Sequence, residues 1–120
     1  MTFEFSFEPT SSWPPLAWLA KCEAGSESIR IIHGLGIEHR TDWFCEAVWD
    51  AAFAEGGFDQ TDLVFGSGGR CRQGSVTFVS AGSTVDRIQF AVRSNCTFVS
   101  NSLAGLLEAK SRAVTIPRLV

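Results

Sequence analysis

Near its start the chain reads Thr2-Phe3-Glu4-Phe5-Ser6-Phe7-Glu8, a stretch in which aromatic and polar residues alternate. Successive side chains of a β-strand point to opposite faces, so this period of two places the three phenylalanines on one face. The stretch therefore predicts a half-buried strand and indicates that sheets carry the fold.

Further segments rich in β-branched or alternating residues are separated by turn-forming Gly, Ser and Asn. We expect strands at residues 28–33, 42–49, 62–65, 76–80, 85–92 and 96–100. Two other segments favour helix: Pro14 and Pro15 suit the first turn of a helix over about residues 14–24, and polar residues cap another over residues 103–110. The predicted fold class is α+β, mainly antiparallel β-sheet layers with two flanking helices.

The composition is that of one folded domain. The chain has 120 residues, of which 45% are hydrophobic and 19% are charged. This length is ordinary for one domain, and this apolar share is enough for a core. We therefore expect residues 1–120 to form a single domain.

Charge and hydropathy argue against two classes of partner. Ten Lys and Arg against 13 Asp and Glu give a net charge of −3, which lacks the basic excess that binds the phosphate backbone of nucleic acids. The apolar runs are much shorter than the roughly 20 residues that span a bilayer. Glu4 and Glu8 stand where a secretory signal carries basic residues. We therefore expect a cytoplasmic protein that binds neither nucleic acid nor membrane.

One motif suggests a binding site. Ser67-Gly68-Gly69 follows an apolar strand and resembles the Ser-Gly-Gly-x-Asp-Ser loop of ATP pyrophosphatases, but Arg70, Cys71 and Arg72 replace the end of that loop. The following segment favours a strand, whereas a phosphate loop leads into a helix. We therefore interpret the motif mainly as a hairpin turn. The candidate ligand-binding residues are Ser67, Gly68, Gly69 and Arg70, and two neighbouring arginines are able to hold an anion.

Other site chemistries find little support in the spacing of the residues. His33 and His39 have no cysteine or further histidine near them in sequence, so no metal site is predicted. The four cysteines lie far apart along the chain, which favours buried thiols over a zinc site or a disulfide scaffold. No serine has an assignable base, and no cofactor is expected.

Part of the chain resembles a known family. Residues 76–80, 86–92 and 96–107 read Val-Thr-Phe-Val-Ser, Asp-Arg-Ile-Gln-Phe-Ala-Val and Cys-Thr-Phe-Val-Ser-Asn-Ser-Leu-Ala-Gly-Leu-Leu. A strand, an Asp-Arg turn, an aromatic strand and a strand-to-helix junction follow one another in similar order at the end of the N-terminal domain of asparagine synthetases. Phe44 to Asp50 resembles a preceding strand of that domain. The resemblance implies a glutamine-amidotransferase type of domain, with antiparallel sheets and flanking helices, that serves an ATP-dependent synthetase.

The chain departs from this family where catalysis takes place. Active members expose a cysteine as the first residue of the mature chain, whereas here Thr2 follows Met1. Thr2, exposed by removal of Met1, is the one catalytic candidate left open. Otherwise the resemblance implies a non-catalytic domain whose partner is a synthetase-like subunit or a second copy of the chain. The alternative is a small β-rich module that binds a peptide or small ligand with the Gly66 to Gly74 hairpin and nearby tryptophans.

Overall fold

The computed structural model describes residues 2–61, 63–80 and 88–102. These residues form nine strands and two short 3-10 helices. The strands are β1 (Glu4–Pro9), β2 (Trp18–Glu23), β3 (Ser28–His33), β4 (Glu38–His39), β5 (Trp43–Trp49), β6 (Val64–Arg72), β7 (Ser75–Ser80), β8 (Gln89–Arg93) and β9 (Cys96–Ser100), and the 3-10 helices are Phe53–Glu55 and Gly57–Gln60.

The strands form two sheets. The five-stranded sheet has the order β1-β3-β2-β9-β8, and the four-stranded sheet has the order β4-β5-β6-β7. β1 pairs in parallel with β3, placing Phe5 beside Ile29. The other pairs are antiparallel. The alternating first segment thus lies at one end of the larger sheet, as a strand whose phenylalanines share a face.

The two sheets pack face to face around an aromatic core. Phe44 of β5 contacts Phe5 and Trp18 of the other sheet edge to face, with ring centroids 5.2 and 4.9 Å apart. Trp18 also stacks on Phe78 of β7 at 5.9 Å. We call the face of each sheet that is turned toward the other its inner face. Such edge-to-face contacts add to the apolar burial that holds the sheets together.

The outer face of the four-stranded sheet has a core of its own. Trp43, Cys45 and Val64 point away from the other sheet and pack against Phe58 of the second 3-10 helix. Phe58 is fully buried. The connection between β5 and β6 therefore covers an outer sheet face that would otherwise expose large aromatic residues.

The predicted α+β fold class is wrong. In the described residues the longest helical segment has four residues, and the helix predicted over residues 14–24 is replaced by a turn and β2. Trp18 and Leu19 are both buried on opposite faces of the sheet. Pairing with β3 on one side and β9 on the other satisfies the β2 backbone, so tertiary pairing overrides the local preference. The helix predicted over residues 103–110 lies outside the described residues.

Four of the other predicted strands agree with the structure. The strand expected at 62–65 shares only Val64 and Phe65 with β6, and the strand expected at 85–92 lies partly outside the described residues. The strands expected at 28–33, 76–80 and 96–100 correspond to β3, β7 and β9, and β5 covers the expected 42–49 within one residue. Among the described residues, no helix has the length and apolar character of a transmembrane span.

Candidate functional site

The Ser67-Gly68-Gly69 motif lies in the middle of a strand. Gly68 belongs to β6, where it stands opposite Cys45 of β5 and Val79 of β7. The turn of this hairpin comes later, at Gln73 and Gly74, and Gly74 has a φ of 74°. The hairpin turn expected at Ser67-Gly68-Gly69 is therefore wrong.

The glycines of this motif have a packing role. A Cβ atom on Gly68 would lie 2.3 Å from the carbonyl oxygen of Phe44, and one on Gly69 would lie 2.6 Å from the Phe44 ring. Both distances are shorter than non-bonded atoms tolerate. Glycine at these positions lets β6 approach β5 while the Phe44 ring stays in the core.

The Ser67 hydroxyl connects the two sheets. Trp18 Nε1 donates a hydrogen bond to Ser67 Oγ at 2.9 Å, and Ser67 Oγ donates its own hydrogen to Glu46 Oε1 at 2.5 Å. Ser67 and Trp18 are buried. A buried indole N–H without an acceptor would lower the stability of the fold. The Ser67 hydroxyl provides this acceptor for Trp18.

Arg70 points to the opposite face from Ser67. Its Nη1 lies 2.9 Å from Asp42 Oδ1, and on the same side Arg72 donates two hydrogen bonds to the Asp59 carboxylate at 2.8 and 2.9 Å. The hydrogen bonds from Arg72 hold the pKa of Asp59 below its usual value. A hollow of about 580 Å³ beside these groups is lined by Asp42, Arg70, Cys71, Arg72 and Gln73.

The four predicted ligand-binding residues thus do not form one site. Ser67 faces the other sheet, Gly68 and Gly69 pack against β5, and Arg70 alone lines a hollow. Their assignment as ligand-binding residues stays a prediction. Of the four, Arg70 is the one that lines a hollow in which a ligand would fit.

The structure shows an exposed apolar surface whose residues the sequence did not single out. Val48, Leu63 and Phe65 are 63%, 59% and 68% exposed. Val48 and Phe65 stand opposite each other in the β5–β6 pair, and a hollow of about 290 Å³ lies among these three residues, Trp49 and Asp50. We call Val48, Leu63 and Phe65 the β5–β6 patch.

The β5–β6 patch continues the inner face of its sheet. Side chains alternate along β5, so Val48 shares a face with Phe44, which is fully buried. The inner face is thus covered at Phe44 and uncovered at Val48, four residues farther along. The period of two in the sequence predicts which residues share this face, but the extent of its cover depends on the opposing sheet.

A second exposed apolar pair lies on the five-stranded sheet. Phe90 and Val92 of β8 are 73% and 66% exposed. Phe90 stands opposite the core residue Val99 of β9, so it also belongs to an inner face. This pair offers a chemically matched reference for experiments on the β5–β6 patch.

The tryptophans of the 43–49 segment mainly fill a core. Trp43 is 2% exposed and contacts Phe53 and Phe58 edge to face at 5.3 and 6.0 Å. Trp49 stacks on Phe53 at 5.2 Å. These contacts leave no open aromatic platform at Trp43, where the binding-module interpretation would need one.

The thiols of Cys22, Cys45 and Cys71 have the character of core residues. Burial raises the pKa of Cys45 and of Cys71 to about 11, and burial also raises the pKa of Cys22. All four cysteines are free thiols. Thiols that stay protonated at neutral pH are poor nucleophiles.

Thr2 lies exposed two residues before β1, and its catalytic assignment stays a prediction. Among the described residues, no group of three or more His, Cys, Asp or Glu side chains is placed to hold a metal ion.

Comparison of the chain with protein-family models, curated proteins and solved structures found no match. The choice of a functional surface therefore rests on the geometry above.

Proposed function

We propose that the chain is a non-catalytic interaction domain that binds a protein partner through the β5–β6 patch. The observation that carries this proposal is the exposure of Val48, Leu63 and Phe65 around one apolar hollow. Contiguous exposed apolar residues are typical of protein interaction sites. The resemblance to asparagine synthetases implies the class of partner, an ATP-dependent, amide-forming synthetase subunit.

Covering the patch would contribute measurably to binding. Fully burying one large apolar side chain contributes about 1.5–3 kcal/mol, and each patch residue still exposes more than half of its surface. A partner that covers all three would thus gain on the order of 4 kcal/mol from them.

The described side chains support a binding role better than a catalytic one. Ser67 gives its hydroxyl hydrogen to the half-buried Glu46, and the two most buried thiols have a pKa of about 11. Thr2 replaces the cysteine that active amidotransferases use. A nucleophile needs an accessible lone pair and a base, and neither the serine nor these thiols has both.

The proposal is tested by affinity purification with a tagged full-length chain. Phe65→Asp places a charge in the patch, and Phe90→Asp makes the same change at an equally exposed phenylalanine of the other sheet. We expect one protein with a synthetase domain to be recovered by the unmodified chain and by Phe90→Asp, and to be lost with Phe65→Asp. Sedimentation of the chain alone then distinguishes this partner from a second copy. Equal recovery by all three chains, or recovery of no protein, contradicts the proposal.

One observation favours the alternative of a small-ligand module. The hollow beside Arg70 has the volume of an ordinary ligand site, and the carboxylate that pairs with Arg70 is more than half exposed. A ligand carboxylate or phosphate would replace Asp42 there. Titration with inorganic phosphate and with citrate, followed by NMR, tests this alternative, which predicts shifts at Arg70 that Arg70→Lys weakens. Unchanged spectra reject it.

A further inference from the structure

The two histidines, which are six positions apart in the chain, meet at the junction of the sheets. His33 ends β3 of the five-stranded sheet and His39 ends β4 of the four-stranded sheet. Their ring centroids lie 5.1 Å apart, at an interplanar angle of 58°. Phe7 stacks on the His39 ring at 4.2 Å and contacts His33 edge-on at 6.0 Å.

The hydrogen bond of His33 defines which nitrogen carries the proton. His33 Nδ1 lies 2.8 Å from the carbonyl oxygen of Gly34. A carbonyl oxygen only accepts, so Nδ1 is the donor and, in the neutral ring, Nε2 carries a lone pair. A histidine that binds a metal usually donates its other ring N–H to a carboxylate or a backbone carbonyl in this manner.

The lone pair of His33 Nε2 accepts no hydrogen bond from the described residues. His33 is 3% exposed, and its Nε2 is buried without a hydrogen-bond partner among those residues. Buried polar atoms are nearly always paired, so an exception calls for a missing partner such as water or an ion. The adjacent His39 ring supplies a second imidazole for a cation bound at this nitrogen.

The spacing of the two rings fits one shared ion. An imidazole nitrogen binds Zn²⁺ at about 2.0–2.1 Å, which places the ring centre about 3.2 Å from the ion. Two such rings at a tetrahedral angle have centres about 5 Å apart. The observed separation of the ring centroids, 5.1 Å, agrees with this value.

We propose that His33 and His39 bind a divalent transition-metal ion of the zinc class, with His33 Nε2 as one ligand. Imidazole ligands select Zn²⁺, Cu²⁺ and Ni²⁺ over the hard cations Mg²⁺ and Ca²⁺. Water fills the remaining positions, since the described residues bring no third histidine, cysteine or carboxylate to form a larger group. The bound ion would join the two sheets at the edge where β4 contributes only two residues.

The two histidines differ in exposure. His33 is 3% exposed, whereas His39 is exposed, so an ion from solvent reaches the pair at His39.

The test is a Zn²⁺ titration of the full chain in a reductant that contains no thiol. Calorimetry is expected to give one ion per chain. NMR of the histidine nitrogens is expected to show Zn²⁺ shifting His33 Nε2 while Nδ1 keeps its hydrogen. His39→Gln is expected to weaken binding by at least about tenfold, whereas Glu27→Gln, at an exposed residue before the other end of β3, leaves it unchanged.

The four thiols provide the necessary control, because Zn²⁺ also binds cysteine. In the double variant Cys22→Ser/Cys96→Ser, binding is expected to persist with unchanged affinity. Loss of binding in this variant, full binding by His39→Gln, or an unshifted His33 Nε2 overturns the proposal. The Zn²⁺-induced shift of His33 Nε2 is measured on the unmodified chain, so it tests the proposal even where a variant fails to fold.

Discussion

Replacing Gly68 by alanine tests the packing role of the glycines most sharply. The added Cβ would lie 2.3 Å from the backbone oxygen of Phe44 and 2.7 Å from the Cβ of Cys45. Neither atom is the end of a flexible side chain, so β5 and β6 must separate. Because Phe44 is fully buried, that separation disturbs the contacts of Phe44 with Phe5 and Trp18.

The magnitude follows from the cost of overpacking a core. Extra methyl groups forced into a packed interior cost about 1–3 kcal/mol. Alanine also reduces the conformational entropy of the unfolded chain, which stabilises the fold by about 0.4–1 kcal/mol where the native backbone conformation suits alanine. We therefore expect Gly68→Ala to lower the free energy of unfolding by about 1–2 kcal/mol.

Urea denaturation followed by tryptophan fluorescence measures this change, and Gly57→Ala is the matched control. A Cβ on Gly57 meets no atom within 4 Å, so Gly57→Ala should be neutral or slightly stabilising. If Gly68→Ala is as stable as the parent chain, β6 does not approach β5 as described, and the interpretation of the motif as a mid-strand packing element is wrong.

Three further predictions concern the polar and thiol groups. Ser67→Ala removes the acceptor of the Trp18 indole N–H, so we expect a loss of about 1–3 kcal/mol in unfolding experiments. Ser11→Ala, in an exposed turn, should change little. Asp59→Asn weakens the contact with Arg72 and should cost about 1–2 kcal/mol near neutral pH. Since the folded pKa of Asp59 is lowered, the stabilisation is present above the unfolded pKa of about 4 and is lost as pH falls through the folded value; a difference between parent and variant that does not shrink below pH 4 refutes the pairing. Cys45 and Cys71, whose pKa is about 11, should resist alkylation at pH 8 until the chain is unfolded, and mass spectrometry showing fast labelling of either in the folded chain would contradict their burial.

The strands that could be predicted are those with one buried face. β1 and β3 show alternation or β-branched residues, and the sequence predicts both. The sequence does not predict β2, because Trp18 and Leu19 are buried on opposite faces of the sheet. A strand covered on both sides has a continuous apolar pattern that equally suits a buried helix.

The candidate site was harder to predict, because its chemistry depends on partners that are distant in sequence. Gly68 and Gly69 suggest a turn by composition, and only their register against Phe44 gives them a packing role. Likewise the exposure of Phe65 depends on where the opposing sheet ends. The local sequence pattern shows which side chains share a face of a strand. Whether that face is buried depends on the elements that pack against it in the folded protein.

Hydrogen exchange of the chain, with and without its recovered partner, tests the central claim most directly. If the β5–β6 patch is the interface, peptides covering Val48 and Phe65 become protected in the complex while those covering Phe90 keep their rate of exchange. Protection confined to other strands, with Val48 and Phe65 unchanged, would contradict the interaction surface proposed for this protein.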